Sequence, residues 1–376
     1  MAILSGLSGN EMYCLALKGL RPGELVIGNS VHSLGFLGGL GAGLQTVFGG
    51  EVQQITAIIS EGRHEAQTRL EKEAAKHGAQ AITGVTSELR TMQGNTEFLS
   101  VGSCAHGTIS GNAASHLAST NGGGQQLYCM LDAGYAPKRM VTGNVAYSVG
   151  IAGGVLGTLK SLGRGEIKEF SDIFNKTRHV ALQRITTEAR AVGANAVVGI
   201  ETRIMPFKGV HEMLMLGTAA HHPALPPTAT TTPVTSDLTV EEMWNLASLG
   251  YMPLKLVLGT AVYALGLVGG LKAMFKSFSR GEISDLTSLI YDAREHAIGL
   301  VRAEADEIGA DDVVGIKTHI HEIGNLIEFM AIGTAVKKLP GAKPLTDTLP
   351  AQAIIKDKET WITESDFAYA AMTSGE

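Results

Sequence analysis

Cys104 and His106 stand two residues apart in the stretch "GSCAHG". On a strand, positions i and i+2 share a face. A thiol and an imidazole so placed can hold a thiophilic or borderline metal ion. No third ligand follows at short spacing, and the plainer reading is a small buried thiol beside a surface histidine. His319 and His321 alternate in the same way. Zinc-protease chemistry needs two histidines four apart on a helix around a glutamate. "HEAQT", "HEMLM" and "HEIGN" each open His-Glu and lack the second histidine. The three cysteines, Cys14, Cys104 and Cys129, are too few for a disulfide framework, and none forms a C-x-x-C pair.

Charged pairs are the other chemical resource. Arg63, Arg178 and Arg294 occupy one repeated position, and Glu97, Glu212 and Glu328 another. Glu73, Glu188 and Glu304 form a third set. An Arg–Glu pair across helix and sheet, or across subunits, fixes register. Acid–base chemistry is the alternative, and the structural role is favoured because no cleft nucleophile accompanies them. The chain has no G-x-S-x-G elbow, Walker A loop or G-x-G-x-x-G fingerprint. The six residues are therefore read as structural ion pairs, with no cofactor required and no enzyme expected.

These positions repeat because the chain repeats. "VIGNSVHSLGFLGG" recurs as "VTGNVAYSVGIAGG" and "VLGTAVYALGLVGG". Gly28, Gly143 and Gly259 are offset by 115 and then 116 residues, as are Tyr13, Tyr128 and Trp244. Three homologous domains are expected, at 8–107, 123–222 and 239–338, followed by a tail over 339–376. The joints "GTISGNAASHLASTNG" and "HPALPPTATTTPVTSDL" are small, polar and Pro/Thr-rich, and read as exposed linkers. The tail is expected to dock on the body or on a partner.

Each unit opens with a short helical stretch and continues into a strand such as "ELVIGN". A long helix follows, from Glu51 to His77 in the first unit. Val52, Ile55, Ile59, Ala66, Leu70 and Ala74 keep its helical period. Gly78, Gly193 and Gly309 stop the three helices. Two more strands complete the unit. The fold class is α/β: three tandem two-layer β-α-β-β domains, each with one long helix on a small sheet. A unit of this size buries a modest core and needs a neighbour on one face or edge.

"ARAVGANAVVGIETRI…GVHEMLMLGTAA" and "ADEIGADDVVGIKTHI…IEFMAIGTAV" resemble the YbjQ family of heavy-metal-binding domains. So do the "GN" after the first strand and the "GGE" before the long helix. The resemblance covers all three units and implies homopentameric rings. One departure is the opening segment, which carries no Asp, Glu, Lys or Arg between Leu25 and Gly50.

That glycine-rich segment, "SLGFLGGLGAGLQTVFGG", is too glycine-rich for a spanning helix. Leu37, Leu40, Leu44 and Phe48 form a helical stripe suited to packing on a neighbour. Contact with a membrane surface is the alternative. The formal charge of −6 argues against nucleic acid. The N-terminus shows no basic region or apolar core of a signal peptide, so a cytoplasmic location is expected. The reading is an oligomeric assembly protein, a homopentamer or a larger closed shell with five-fold symmetry. Its rivals are a heavy-metal-binding module and a peripheral membrane complex.

Overall fold

The computed structural model describes residues 2–33, 50–109, 111–113, 116–148, 165–207, 209–264, 284–323, 326–339 and 343–349. The glycine-rich segment with Leu37, Leu40, Leu44 and Phe48, and its two counterparts, lie outside the described residues.

In the first unit a short helix α1 (Gly9–Leu17) precedes β1 (Arg21–Ser33), β2 (Gly50–Glu51) and the long helix α2 (Gln53–Lys76). Then come β3 (Ala81–Thr83), β4 (Glu88–Met92), β5 (Asn95–His106) and β6 (Ala118–Ser119). The second unit has α3 (Gly124–Asp132), β7 (Ala136–Ser148), β8 (Gly165–Glu166), the long helix α4 (Lys168–Ala191), β9 (Ala196–Phe207), β10 (Val210–His221) and β11 (Val234–Thr235). The third has α5 (Val240–Ser248), β12 (Tyr251–Ala264), the long helix α6 (Ser284–Glu307), β13 (Asp312–Ile323) and β14 (Leu326–Lys338). The expected two-layer α/β plan is present three times.

The sheets do not respect the units. One sheet runs β1-β5-β3-β6, with β4 also on β5. The next runs β11-β9-β10-β7-β2, so β2 of the first unit closes the edge of the second unit's sheet. The third runs β13-β14-β12-β8 and takes its edge from the second unit in the same way.

The joining segments are only in part the exposed linkers that their composition suggested: 226–228 and 230–232 are exposed, but each segment ends in a buried strand. β6 pairs parallel to β3, and β11 pairs parallel to β9. Residues 118–120 and 233–238 are buried. A ladder is made by backbone groups, so small and Thr-rich residues can pair as an edge strand without apolar side chains. Their hydroxyls bond across as well: Thr120 Oγ1 lies 2.8 Å from Thr218 Oγ1, and Ser236 Oγ lies 3.1 Å from Thr334 Oγ1. Each joining segment is thus an edge strand of the sheet it leaves and bonds by hydroxyl to the sheet that follows.

Each long helix lies on its own sheet at close range. A Cβ at Gly28 would fall 2.0 Å from Ala66 O, one at Gly143 2.1 Å from Ala181 O, and one at Gly259 2.4 Å from Ala297 O. Only glycine admits the helix backbone there. The repeated glycine of "GN" and "GT" is therefore a packing requirement. The helix's other side belongs to the next unit. Val141, Val145, Phe174 and Ile185 of the second unit share one core with Leu256, Leu258 and Val262 of the third. Likewise Ile55 and Ile59 pack with Ala146, and Leu70 and Ala74 with Met140.

Candidate functional site

Asp132 ties the short helices together. Its carboxylate accepts from Lys18 Nζ at 2.5 Å, Trp244 Nε1 at 2.8 Å and Thr346 Oγ1 at 2.6 Å. One fully buried side chain therefore joins α1, α3, α5 and the start of the tail. Burial opposes its charge, but the bonds from Lys18, Thr346 and Trp244 outweigh that and hold its pKa below the ordinary value. Its counterparts are Leu17 and Ser248, so no repeat signals it.

The buried ion pairs cross the joints between units. Four of the six residues singled out in the sequence are paired with an offset of one unit. Arg63 on α2 reaches Glu212 on β10, with Nε–Oε1 3.2 Å and Nη2–Oε2 2.8 Å. Its Nη1 donates to Ser87 O at 3.1 Å and Ser87 Oγ at 2.9 Å. Arg178 on α4 repeats this with Glu328 on β14, Nη2 lying 2.7 Å from both carboxylate oxygens. Arg178 Nη2 also donates to Tyr147 OH at 2.9 Å, and the guanidinium carbon sits 4.5 Å from that ring's centroid. Burial works against the Arg178 charge, yet Glu328 and Tyr147 raise its pKa above the ordinary value. Among the described residues its buried Nη1 has no hydrogen-bond partner.

A second polar contact repeats at both joints. His64 Nε2 is 2.6 Å from Glu188 Oε1, and His179 Nε2 is 3.3 Å from Glu304 Oε1. The other oxygen of each carboxylate takes a strand N–H, from Thr142 at 2.9 Å and from Leu258 at 3.0 Å. The Glu188 bond raises His64, and the Glu304 bond raises His179. Burial alone would raise Glu304, but its bonds to His179, Lys255 and the Leu258 N–H lower it to about 2.

Two unlike surfaces therefore meet at each joint: one face of a long helix, and the outward face of the next unit's sheet. Such a contact is heterologous. It fits together a guanidinium, a histidine and an apolar stripe on one side with two carboxylates and an apolar sheet face on the other.

Family models match the chain at residues 21–109, 135–222 and 251–338, with the description "Putative heavy-metal-binding". The chain belongs to the YbjQ family. It is 31% identical over 236 residues to an encapsulin nanocompartment protein of Mycobacterium tuberculosis, covering 57% of this chain and 84% of that one. UPF0145 proteins of Vibrio campbellii and Pseudothermotoga lettingae are 40% identical over 83 residues and 41% identical over 85 residues. Each of those matches covers 22% of this chain and 80% of the relative, about one YbjQ unit.

The donors themselves bear on the family's metal label. Cys104 is buried, and burial together with Glu24 and Glu73 pushes its thiol up to about 12. The thiolate that a metal needs is thereby disfavoured. His106 sits beside it but turns to Glu24, 3.7 Å away, which also lies 3.8 Å from His77. Among the described residues no group of three or more His, Cys, Asp or Glu is placed to hold a metal ion. Cys104 and His106 do not make a fitting donor set by themselves. His319 and His321 lie face to face, with ring centroids 6.2 Å apart. Among the described residues no helix is long and apolar enough to cross a membrane.

Proposed function

We propose that this YbjQ chain is a non-enzymatic building block of a closed multi-chain assembly, a ring or shell. The observation that carries this is the similarity to the mycobacterial encapsulin nanocompartment protein, 84% of which is covered at 31% identity. The joints support it. Four of the six Arg and Glu residues that could have done acid–base chemistry, Arg63 with Glu212 and Arg178 with Glu328, are locked against each other in the cores of two joints. Cys14, Cys104 and Cys129 are buried, with thiols raised by that burial. The paired Arg and Glu residues hold one unit to the next.

A homopentamer, or a shell with five-fold vertices, is the closure implied by the family resemblance. In-chain joints add a condition to it: consecutive unlike units already occupy each other's faces, so like units do not need to find one another. Electron microscopy of the purified chain with native mass spectrometry tests the reading. A closed particle of defined chain number is expected. A monomer at micromolar concentration would refute it.

A further inference from the structure

The two in-chain joints leave one half-joint at each end of the row. In the second and third units the outward sheet face is covered by the preceding unit's helix. Met140 is 1% exposed, Leu258 2% and Val262 0%. The aligned residues of the first unit, Leu25, Ile27 and Val31, are 40%, 49% and 58% exposed. Glu97 stands on this open face, opposite Val31 in the ladder, as Glu212 stands opposite Ala146 and Glu328 opposite Val262.

The complementary half is at the other end. Thr56, Arg63 and Gln67 of α2, and Ser171, Arg178 and Leu182 of α4, are all buried in joints. The aligned Thr287 and Arg294 of α6 are exposed, and Ile298 is half-buried. Among the described residues Arg294 has no hydrogen-bond or ion-pair partner.

A second charge pairing matches independently. At the first joint Glu71 of α2 receives Arg139 Nε of β7 at 2.8 Å. The aligned residues at the free ends are Arg302 on α6 and Glu24 on β1, the same pairing with its signs exchanged. Arg302 is exposed and Glu24 half-exposed.

We propose that α6 of one copy docks on the outward face of β1 in a second copy. Arg294 of the first copy meets Glu97 of the second, and Arg302 meets Glu24. The occupant is another copy of this chain because the open sheet face and the open helix face are the two halves of a contact it already makes twice. The joint is head-to-tail, so each added copy presents a fresh half-joint until the row closes. This inference rests on the multi-chain reading above and names the surfaces that carry it.

The test is sedimentation velocity on the full chain over a concentration series, with circular dichroism as the check on folding. Wild type is expected to associate. Arg294→Glu and Glu97→Arg alone are each expected to weaken association by at least about 100-fold. The double variant should recover most of it. For any variant that loses its fold, copies carrying Arg294→Cys are mixed with copies carrying Glu97→Cys and a short bismaleimide. A cross-linked pair supports the contact and the lack of one overturns it. If wild type assembles and both charge variants assemble equally well, this inference fails and the assembly reading stands. If wild type is a monomer throughout, the assembly reading itself has failed and takes the inference with it.

Discussion

Removing Glu212 should be far more damaging than its single carboxylate suggests. Arg63 and Glu212 are 2% and 1% exposed and share two hydrogen bonds. Glu212→Ala leaves the guanidinium buried with only Ser87 to hold it. Breaking a buried pair from one side costs about 3–5 kcal/mol, because the remaining charge is uncompensated. That is a large share of the roughly 5–15 kcal/mol by which a domain is stable. Glu328→Ala should cost at least as much, since among the described residues Arg178 would keep only Tyr147 and already has a buried Nη1 without a hydrogen bond. Replacing both partners, as Arg63→Met with Glu212→Leu, should recover most of the loss. Urea unfolding followed by circular dichroism measures these differences, with Arg90→Ala as the exposed control, its partner Glu88 lying on the surface. If Glu212→Ala lowers the urea midpoint no more than Arg90→Ala, the joint is not held by this pair.

Asp132→Ala should cost about 2–4 kcal/mol, since it strands Lys18 and the buried Trp244 N–H; an unchanged urea midpoint would contradict the hub. His64 and His179 have raised pKa values in the folded joint, facing Glu188 with Arg139 and Glu304 with Lys255 respectively. Their contribution is full below pH of about 6.5 and is lost as pH rises through the folded values. Half-exposed, it is small: the stability gap between wild type and His64→Gln/His179→Gln should shrink from pH 6 to 9, and a constant gap would exclude it. Metal analysis of the purified assembly should find no stoichiometric change on Cys104→Ala; a clear drop would establish a site at Cys104 and His106. Glu295→His restores at the free helix the histidine found at His64 and His179, and should tighten association between copies; weaker association would count against the proposed docking.

Much of the fold was legible because the sequence states it three times. The repeated glycine at Gly28, Gly143 and Gly259 marks where helix backbone crowds the sheet, and no other residue fits. The Arg and Glu sets were visible for the same reason, but their pairing was not. Every unit carries both partners, so Arg63 with Glu97 and Arg63 with Glu212 are the same pattern in sequence. Only the sandwiching of α2 between two sheets decides it. The buried ends of the joining segments were not legible because composition reports side chains, whereas β6 and β11 are held by backbone hydrogen bonds. Asp132 carried no signal, since a hub that serves three different neighbours has no reason to recur.

The three joints are not electrically equal, and the difference bears on assembly. Around the first joint His64, Glu71, Arg139 and Glu188 bring together one cation, two carboxylates and a titrating histidine. Around the second, His179, Lys255 and Glu304 bring one cation and one carboxylate with the histidine. The aligned set between copies is Glu295, Arg302, Glu24 and Glu73: one cation against three carboxylates. The apolar face and the Arg294–Glu97 pair favour that contact, while Glu295 against Glu73 opposes it by like-charge repulsion. Contacts inside the chain form at the high effective concentration that a covalent connection supplies. The contact between copies has no such help and carries the extra repulsion. It is the weaker of the three by construction, so single chains fold first and join afterwards, with association set by chain concentration.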